Sequence, residues 1–356
     1  MHCIDNNFLL CFSLRLGGNN VSRRFKNSHY EAGYRYGDLL YKHGKAIREN
    51  DTFIVTRERK EFADACLPIY KKYYPEVLDE IKGLADGQRS PHEDFYTFLL
   101  SMYCFEFSNR CTCFAFKDDE HIVFARNSDF LVKLEKLYMN CLYALDGKYA
   151  FNGNTTAFIE MEDGINEYGL AAGLTFVYPV IKNAGLNSGI LVRYILEKCK
   201  TTEEAIACIR ALPIASQQTI SVIDNTGAMA VIECNCRRIE IIRPTADCNF
   251  IAATNGFHSE KMRAYEKYGI DDWRSEERYE VARTALKENR RCFSIELAEM
   301  VLKGRFGFMC QYDRKTGADT VWSVVYDVKH KKIYRAEGNP GRKRFEEDAR
   351  FGFINY

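Results

Sequence analysis

The hydrophobic period of this chain changes abruptly at residue 111, and few sequence features limit a fold more. Before that point apolar residues recur at helical spacing. From Cys111-Thr112-Cys113-Phe114-Ala115-Phe116 onward they alternate as in a strand. A polar turn, Lys117-Asp118-Asp119-Glu120, leads to Ile122–Ala125 and then to Arg126-Asn127-Ser128-Asp129. Two short strands around such a turn read as a β-hairpin. The hairpin brings a thiol at the start of one strand towards a guanidinium and a carboxylate just past the end of the next.

The rest of the chain divides around this point. His29–Tyr41 has helical spacing with two glycines that permit close packing, and Phe53–Leu84 reads as two helices broken near Pro75. Ser90-Pro91-His92-Glu93 predicts a helix start with Ser90 as N-cap, and that helix is expected to end near Ser108. After residue 111, hairpins are predicted over 219–233 and 320–336, and helices over 188–200, from the capping sequence Thr201-Thr202-Glu203-Glu204, over 277–289 and over 294–302. Hairpins interleaved with helix pairs predict an α+β fold of mainly antiparallel sheets covered by helices. No linker composition separates the halves. Residues 1–110 therefore read as a helical segment packed on a core of residues 111–356.

The 356 residues suffice for a large core, in one domain or two. A net charge of +1 argues against a protein built to hold nucleic acid or an anionic membrane. The run Phe8-Leu9-Leu10-Cys11-Phe12 is short for a signal sequence and lacks a preceding basic segment, and no stretch approaches the roughly 20 apolar residues of a membrane helix. The 14 cysteines are scattered, with no small-domain disulfide framework, which favours a cytoplasmic protein, although their even number leaves secretion open. The partner expected is a small molecule, and the sequence is compatible with a homo-oligomer.

A cysteine thiol of ordinary pKa about 8.5 is mostly protonated at neutral pH. A guanidinium beside it favours the thiolate, which is the nucleophile, and Arg126 can serve, with Asp129 fixing its orientation or bonding an amine. A second route runs through the backbone. Cleavage between Arg110 and Cys111 would give Cys111 a free α-amine, which titrates at about 7.7–8.0 and can act as base for its own thiol.

Cys-Thr-x-Phe-Ala, with Arg-Asn-x-Asp beginning fifteen residues after the cysteine, resembles the signature of the choloylglycine hydrolase and penicillin V acylase family of N-terminal-nucleophile hydrolases. Gly164-Ile165-Asn166-Glu167-Tyr168-Gly169-Leu170, Ala172-Gly173-Leu174-Thr175-Phe176, Ala253-Thr254-Asn255-Gly256-Phe257 and Ser275-Glu276-Glu277-Arg278-Tyr279 resemble further family segments in the same order. The long stretch before Cys111, with Tyr30-Glu31-Ala32-Gly33 and Pro75–Ala85, and Thr320–Asp327 near the end, are similar to the acyl-coenzyme A:6-aminopenicillanic acid acyltransferase branch. The likeness runs from about residue 29 to 340.

The resemblance implies a four-layer αββα sandwich of two mainly antiparallel sheets. It implies hydrolysis of a linear amide bond of an N-acyl substrate, with Cys111 as nucleophile, Arg126, Asp129 and Arg278 as its polar support, and the Asn255 side-chain N–H as oxyanion donor. Thr175 stands where the bile-salt hydrolase branch has Asn, so an oxyanion contact there would have to come from a backbone N–H. Arg110 stands where the penicillin acyltransferase has Gly. No cofactor or metal is expected; Cys111, Cys113, Cys234 and Cys236 could be drawn as a zinc site, but one-residue spacing departs from the usual two to four. The alternatives are an acyltransferase moving an acyl group from a thioester to an amine, and a papain-like protease pairing Cys111 with His258.

Overall fold

The computed structural model describes residues 15–16, 19–20, 23–49, 53–105, 109–245 and 248–350. The Phe8–Phe12 run and Ser108 lie outside them. A two-stranded pair, β1 (Arg15–Leu16) and β2 (Asn19–Asn20), precedes β3 (Arg23–Asn27), and four helices follow: α1 (His29–Lys42), α2 (Arg57–Tyr73), α3 (Pro75–Gly87) and α4 (His92–Leu100). Pro75 is the first residue of α3, where its missing N–H costs nothing. The α4 start differs from expectation. The Ser90 N–H bonds to Ala85 O at 3.0 Å and closes α3, so Pro91 takes the N-cap position without a side-chain cap. The helix also stops at Leu100, well short of Ser108.

Helices α1 and α3 approach to backbone contact. A Cβ on Gly33 would lie 2.0 Å from Glu80 O, and one on Gly83 would lie 2.1 Å from Tyr30 O. Gly37 and Gly87 extend the same seam. These glycines are used for proximity rather than for backbone freedom.

From residue 109 the chain builds β4 (Asn109–Lys117), β5 (Ile122–Leu131), β6 (Met139–Leu145), β7 (Phe151–Thr155), β8 (Asp163–Asn166) and β9 (Ala171–Phe176). Helices α5 (Ser188–Lys198) and α6 (Thr202–Ala211) come next, then β10 (Gln218–Ile223), β11 (Met229–Cys234), β12 (Ile239–Ile242) and β13 (Phe250–Ala253). Helices α7 (Glu260–Arg263), α8 (Ser275–Glu288) and α9 (Ile295–Leu302) precede β14 (Ala318–Asp327), β15 (Lys332–Glu337) and β16 (Glu346–Glu347).

The strands form a sheet of order β12-β11-β10-β9-β8-β7-β6-β3 and a second of order β13-β4-β5-β14-β15-β16. Pairing within both is antiparallel except β3 with β6, so the stretch before Cys111 also supplies an edge strand. Cys113, Ala115 and Phe124 meet Ile165, Ala171 and Ile223 in the space between the sheets. Phe114, Phe116 and Val123 point the other way, against Ala282 and Leu286 of α8 and Val301 of α9. Ala172, Leu174 and Ile220 leave the larger sheet on its far side and pack with Ile190 and Leu191 of α5. The result is helix, sheet, sheet, helix: the four-layer α+β sandwich expected from the resemblance. Among the described residues no helix is long and apolar enough to cross a membrane.

A buried polar cluster joins the N-terminal helices to this core. Glu80 of α3 meets Arg193 of α5 at 2.5 Å and 2.9 Å and accepts from Tyr143 Oη of β6 at 3.1 Å. Arg193 Nε also donates to Glu197 at 2.8 Å, and Glu197 is bonded by His29 of α1 at 3.1 Å and by Tyr74. Unpaired, these charges would be very costly to bury. Here each has a partner.

Candidate active site

Strand alternation decides which groups reach the thiol. On β4, Cys111 and Cys113 face the other sheet, while Thr112 faces α8. The β4–β5 register sets Cys111 opposite Ser128 and Cys113 opposite Arg126, so Arg126 and Ser128 share the inner face. Asp129 is three residues from Arg126, an odd spacing, and therefore lies on the outer face.

Arg126 crosses diagonally, and its Nη2 donates to Cys111 Sγ at 2.9 Å. Its Nη1 donates to Asp163 at 2.9 Å and to Ser128, and Nε and Nη2 reach Leu174 O at 3.3 Å and 3.2 Å. Glu162 is 3.5 Å from Nη2, and the guanidinium lies over the Trp322 ring. Burial opposes its charge, but Cys111, Asp163, Cys113 and Glu162 outweigh burial and hold it protonated well above the ordinary arginine value. Gly173 makes room for it: a Cβ there would come within 2.8 Å of Phe124 and 3.2 Å of Arg126.

Asn255 arrives by register. Strand β13 pairs with β4 so that Ala253 faces Cys113, and two residues later Asn255 reaches Cys111. The Cys111 backbone N–H donates to Asn255 Oδ1 at 2.9 Å, while Asn255 Nδ2 donates to Phe176 O at 2.9 Å. One Nδ2 proton is thus used, and the amide carries two. Arg278 enters from α8 on the outer face. It donates to Cys111 O at 2.7 Å, Thr112 Oγ1 at 2.8 Å and Asn255 Oδ1 at 2.9 Å.

Asp129 is placed differently from the sequence expectation. It lies 3.7 Å from Arg278 and accepts from Tyr312 Oη at 3.0 Å and Thr320 Oγ1 at 2.6 Å. Its structural link to Cys111 runs through Arg278, and its charge also acts directly to raise the Cys111 thiol. Burial raises its carboxyl to about 6, against the lowering effect of Arg278 and of the two hydroxyls.

Thr175 also changes role. Its hydroxyl donates to Thr254 O at 2.5 Å and lies 2.5 Å from Thr219 Oγ1, bracing the residue before Asn255. The Leu174 N–H bonds Glu162 O on one side of β9. The Thr175 N–H points the opposite way, to β10, where Thr175 is registered with Thr219 rather than with Cys111. His258 stacks on Tyr279, with ring centroids 3.5 Å apart, and Cys111 sits in a strand rather than at a helix N-terminus; the papain-like pairing is absent. Among the described residues no group of three or more His, Cys, Asp or Glu side chains could hold a metal, so the four cysteines form no zinc site.

Sequence reasoning missed Asp163, Glu162, Ser128 and Thr112 as partners of the cluster. Asp163 stands immediately before Gly164-Ile165-Asn166, and Thr112 and Ser128 lie inside the quoted motifs. Strand alternation applied to the hairpin separates Ser128 from Asp129.

Cys111 itself is fully buried, and burial pushes its thiol up to about 12 despite the opposing pull of Arg126. The thiol is sealed from solvent.

Residues 116–342 match the family model described as acyl-coenzyme A:6-aminopenicillanic acid acyl-transferase. The match spans well over half of the chain, and the protein belongs to this enzyme family; Cys111 lies just before the matched stretch. Among solved structures, penicillin V acylase from Agrobacterium tumefaciens is 18% identical, with 64% of this chain and 83% of that chain covered and a TM-score of 0.46. A mutant of the conjugated bile acid hydrolase from Clostridium perfringens is 13% identical, with 67% and 92% covered and a TM-score of 0.48. A search of curated proteins gives no match.

Proposed function

We propose that this protein hydrolyses a linear amide bond of an N-acyl compound through an acyl-enzyme on Cys111, after cutting its own chain between Arg110 and Cys111. The single observation that carries this is the pairing of Arg126 Nη2 with Cys111 Sγ at 2.9 Å beside a Cys111 backbone nitrogen held by Asn255 at 2.9 Å. A thiol and its own nitrogen, each with a polar partner, are the two groups an N-terminal nucleophile needs.

In the maturation step Cys111 Sγ attacks the Arg110 carbonyl carbon. The peptide C–N bond breaks as the C–S bond forms, and the amine takes the thiol proton. Water then cleaves the thioester, leaving Arg110 with a carboxylate and Cys111 with a free thiol and amine. Residues 1–110 stay docked through the Glu80–Arg193–Glu197 cluster.

In turnover the α-amine takes the thiol proton and the thiolate attacks the substrate carbonyl. The remaining Nδ2 proton of Asn255 bonds the developing oxyanion, a contact worth about 10²–10³ in rate. The ammonium returns its proton to the leaving amine, and water clears the acyl group. Arg126 favours the thiolate, and Arg278 with Asp129 fixes the Cys111 backbone and the Asn255 side chain. The family match favours a second reading of the same site, in which an amine replaces water and the acyl group is transferred. The scattered cysteines, with no small-domain disulfide framework, support a cytoplasmic setting.

Intact-mass analysis tests maturation: two fragments, 1–110 and 111–356, are expected, and an active preparation that is wholly uncut rules it out. Release assays over a panel of N-acyl amides, with Cys111→Ser as control, test the nucleophile. Full turnover by a folded Cys111→Ser protein would place the chemistry elsewhere.

A further inference from the structure

Two thiols meet away from Cys111, where α5 ends and α6 runs. Cys199 is the C-cap of α5, and Cys208 lies within α6. Their sulfurs are 3.5 Å apart, with the Cys199 S–H donating to Cys208 Sγ. Both backbones are fixed. Asn166 Nδ2 donates to Leu196 O at 3.1 Å and Cys199 O at 2.7 Å, and Thr201 caps α6 by accepting the Glu204 N–H at 3.2 Å. Asn166 thereby acquires a function within the Gly-Ile-Asn-Glu segment that the catalytic reading leaves unused. Access differs between the thiols: Cys199 is buried and Cys208 is partly exposed.

We propose that Cys208 and Cys199 are a reversible oxidation site for a small disulfide of the oxidised-glutathione type, with Cys208 as the attacking thiol and Cys199 as the resolving one. The Cys208 thiolate attacks one sulfur of the disulfide and expels one thiol, forming a mixed disulfide. Cys199 then attacks Cys208 Sγ and expels the second. Two protein thiols are oxidised, one external disulfide is reduced, and the protons leave on the released thiols. A protein disulfide needs sulfurs about 2.0 Å apart, so the pair closes by about 1.5 Å, within reach of side-chain rotation. The shared hydrogen bond also makes the acidities unequal: it lowers Cys208, whose sulfur accepts it, and raises Cys199; Glu204 raises Cys208 and Lys198 lowers it.

The test incubates the full native chain with oxidised glutathione, blocks remaining thiols with N-ethylmaleimide and maps peptides without reductant. A peptide linked through Cys199 and Cys208, about 2 Da lighter than its reduced halves, is expected. Cys199→Ser should instead retain glutathione on Cys208, and exposed Cys292 serves as a control that gains glutathione without an internal link. Complete maleimide labelling of both thiols in the folded protein overturns the proposal. So does glutathione persisting on Cys208 while Cys199 stays reduced.

Discussion

At the scale of single residues, the contrast between Cys111 and Cys292 gives a direct measurement. The Cys111 thiol is buried and held near 12, whereas Cys292 is exposed. In uncut chains at about pH 8, iodoacetamide should label Cys292 and leave Cys111 untouched, as read by peptide mass. Labelling of Cys111 as fast as Cys292 would mean that the site is open in the intact chain. Asn255→Ala removes both the partner of the Cys111 nitrogen and the proposed oxyanion donor. Turnover should fall about 10²–10³-fold in steady-state assays, with the fold intact by circular dichroism. The meeting of Cys111 and Arg126 was legible from residue type and spacing. The partners of Asp129 and Thr175 were not, because they come from α8, the segment before β14, β14 itself, β10 and the segment after β13, far away in sequence.

Individual elements show how close approach replaces a large side-chain interface. Ala is a better helix former than Gly by about 1 kcal/mol, so propensity alone would make Gly33→Ala stabilising. A Cβ only 2.0 Å from Glu80 O forces α1 and α3 apart, and overpacking of this kind costs roughly 1–3 kcal/mol. Sterics should therefore win. A lowered urea midpoint with unchanged slope is the expected result, and an unchanged or raised midpoint would show that the seam relaxes freely. His29–Tyr41 announced this packing by its two glycines, but their partners Gly83 and Gly87 needed the parallel placement of α1 beside α3. The period-2 pattern of β4 and β5 was equally legible, and taken one step further it sends Arg126 and Asp129 to opposite faces.

For the whole molecule, the Glu80–Arg193–Glu197–His29 cluster ties the N-terminal helices to the sandwich. Burial alone would raise Glu197, but Arg193, His29 and Tyr74 outweigh it and hold its carboxyl down at about 2, against an ordinary 4.5. A depressed carboxylate contributes stability that is complete above about pH 4.5 and lost as pH falls towards 2. The difference is on the order of 3 kcal/mol. Glu197→Gln should flatten the fall in Tm across that window while lowering Tm at neutral pH, measured by calorimetry. Parallel acid profiles for the two proteins would remove Glu197 from this role.

The sequence by itself determined the change of period at residue 111, the three hairpins, the helices around them and the thiol placed where a strand begins. These are local properties: side-chain alternation, turn residues and helix caps act over a few positions. Tertiary structure alone decided that Asn255 faces the Cys111 nitrogen, that Arg278 reaches the Cys111 carbonyl from the outer layer, and that Asp163 anchors Arg126. Each of those contacts depends on strand register and sheet stacking, which bring together residues tens to more than a hundred positions apart. Burial in that stack also sets the Cys111 thiol near 12, a property no window of sequence contains.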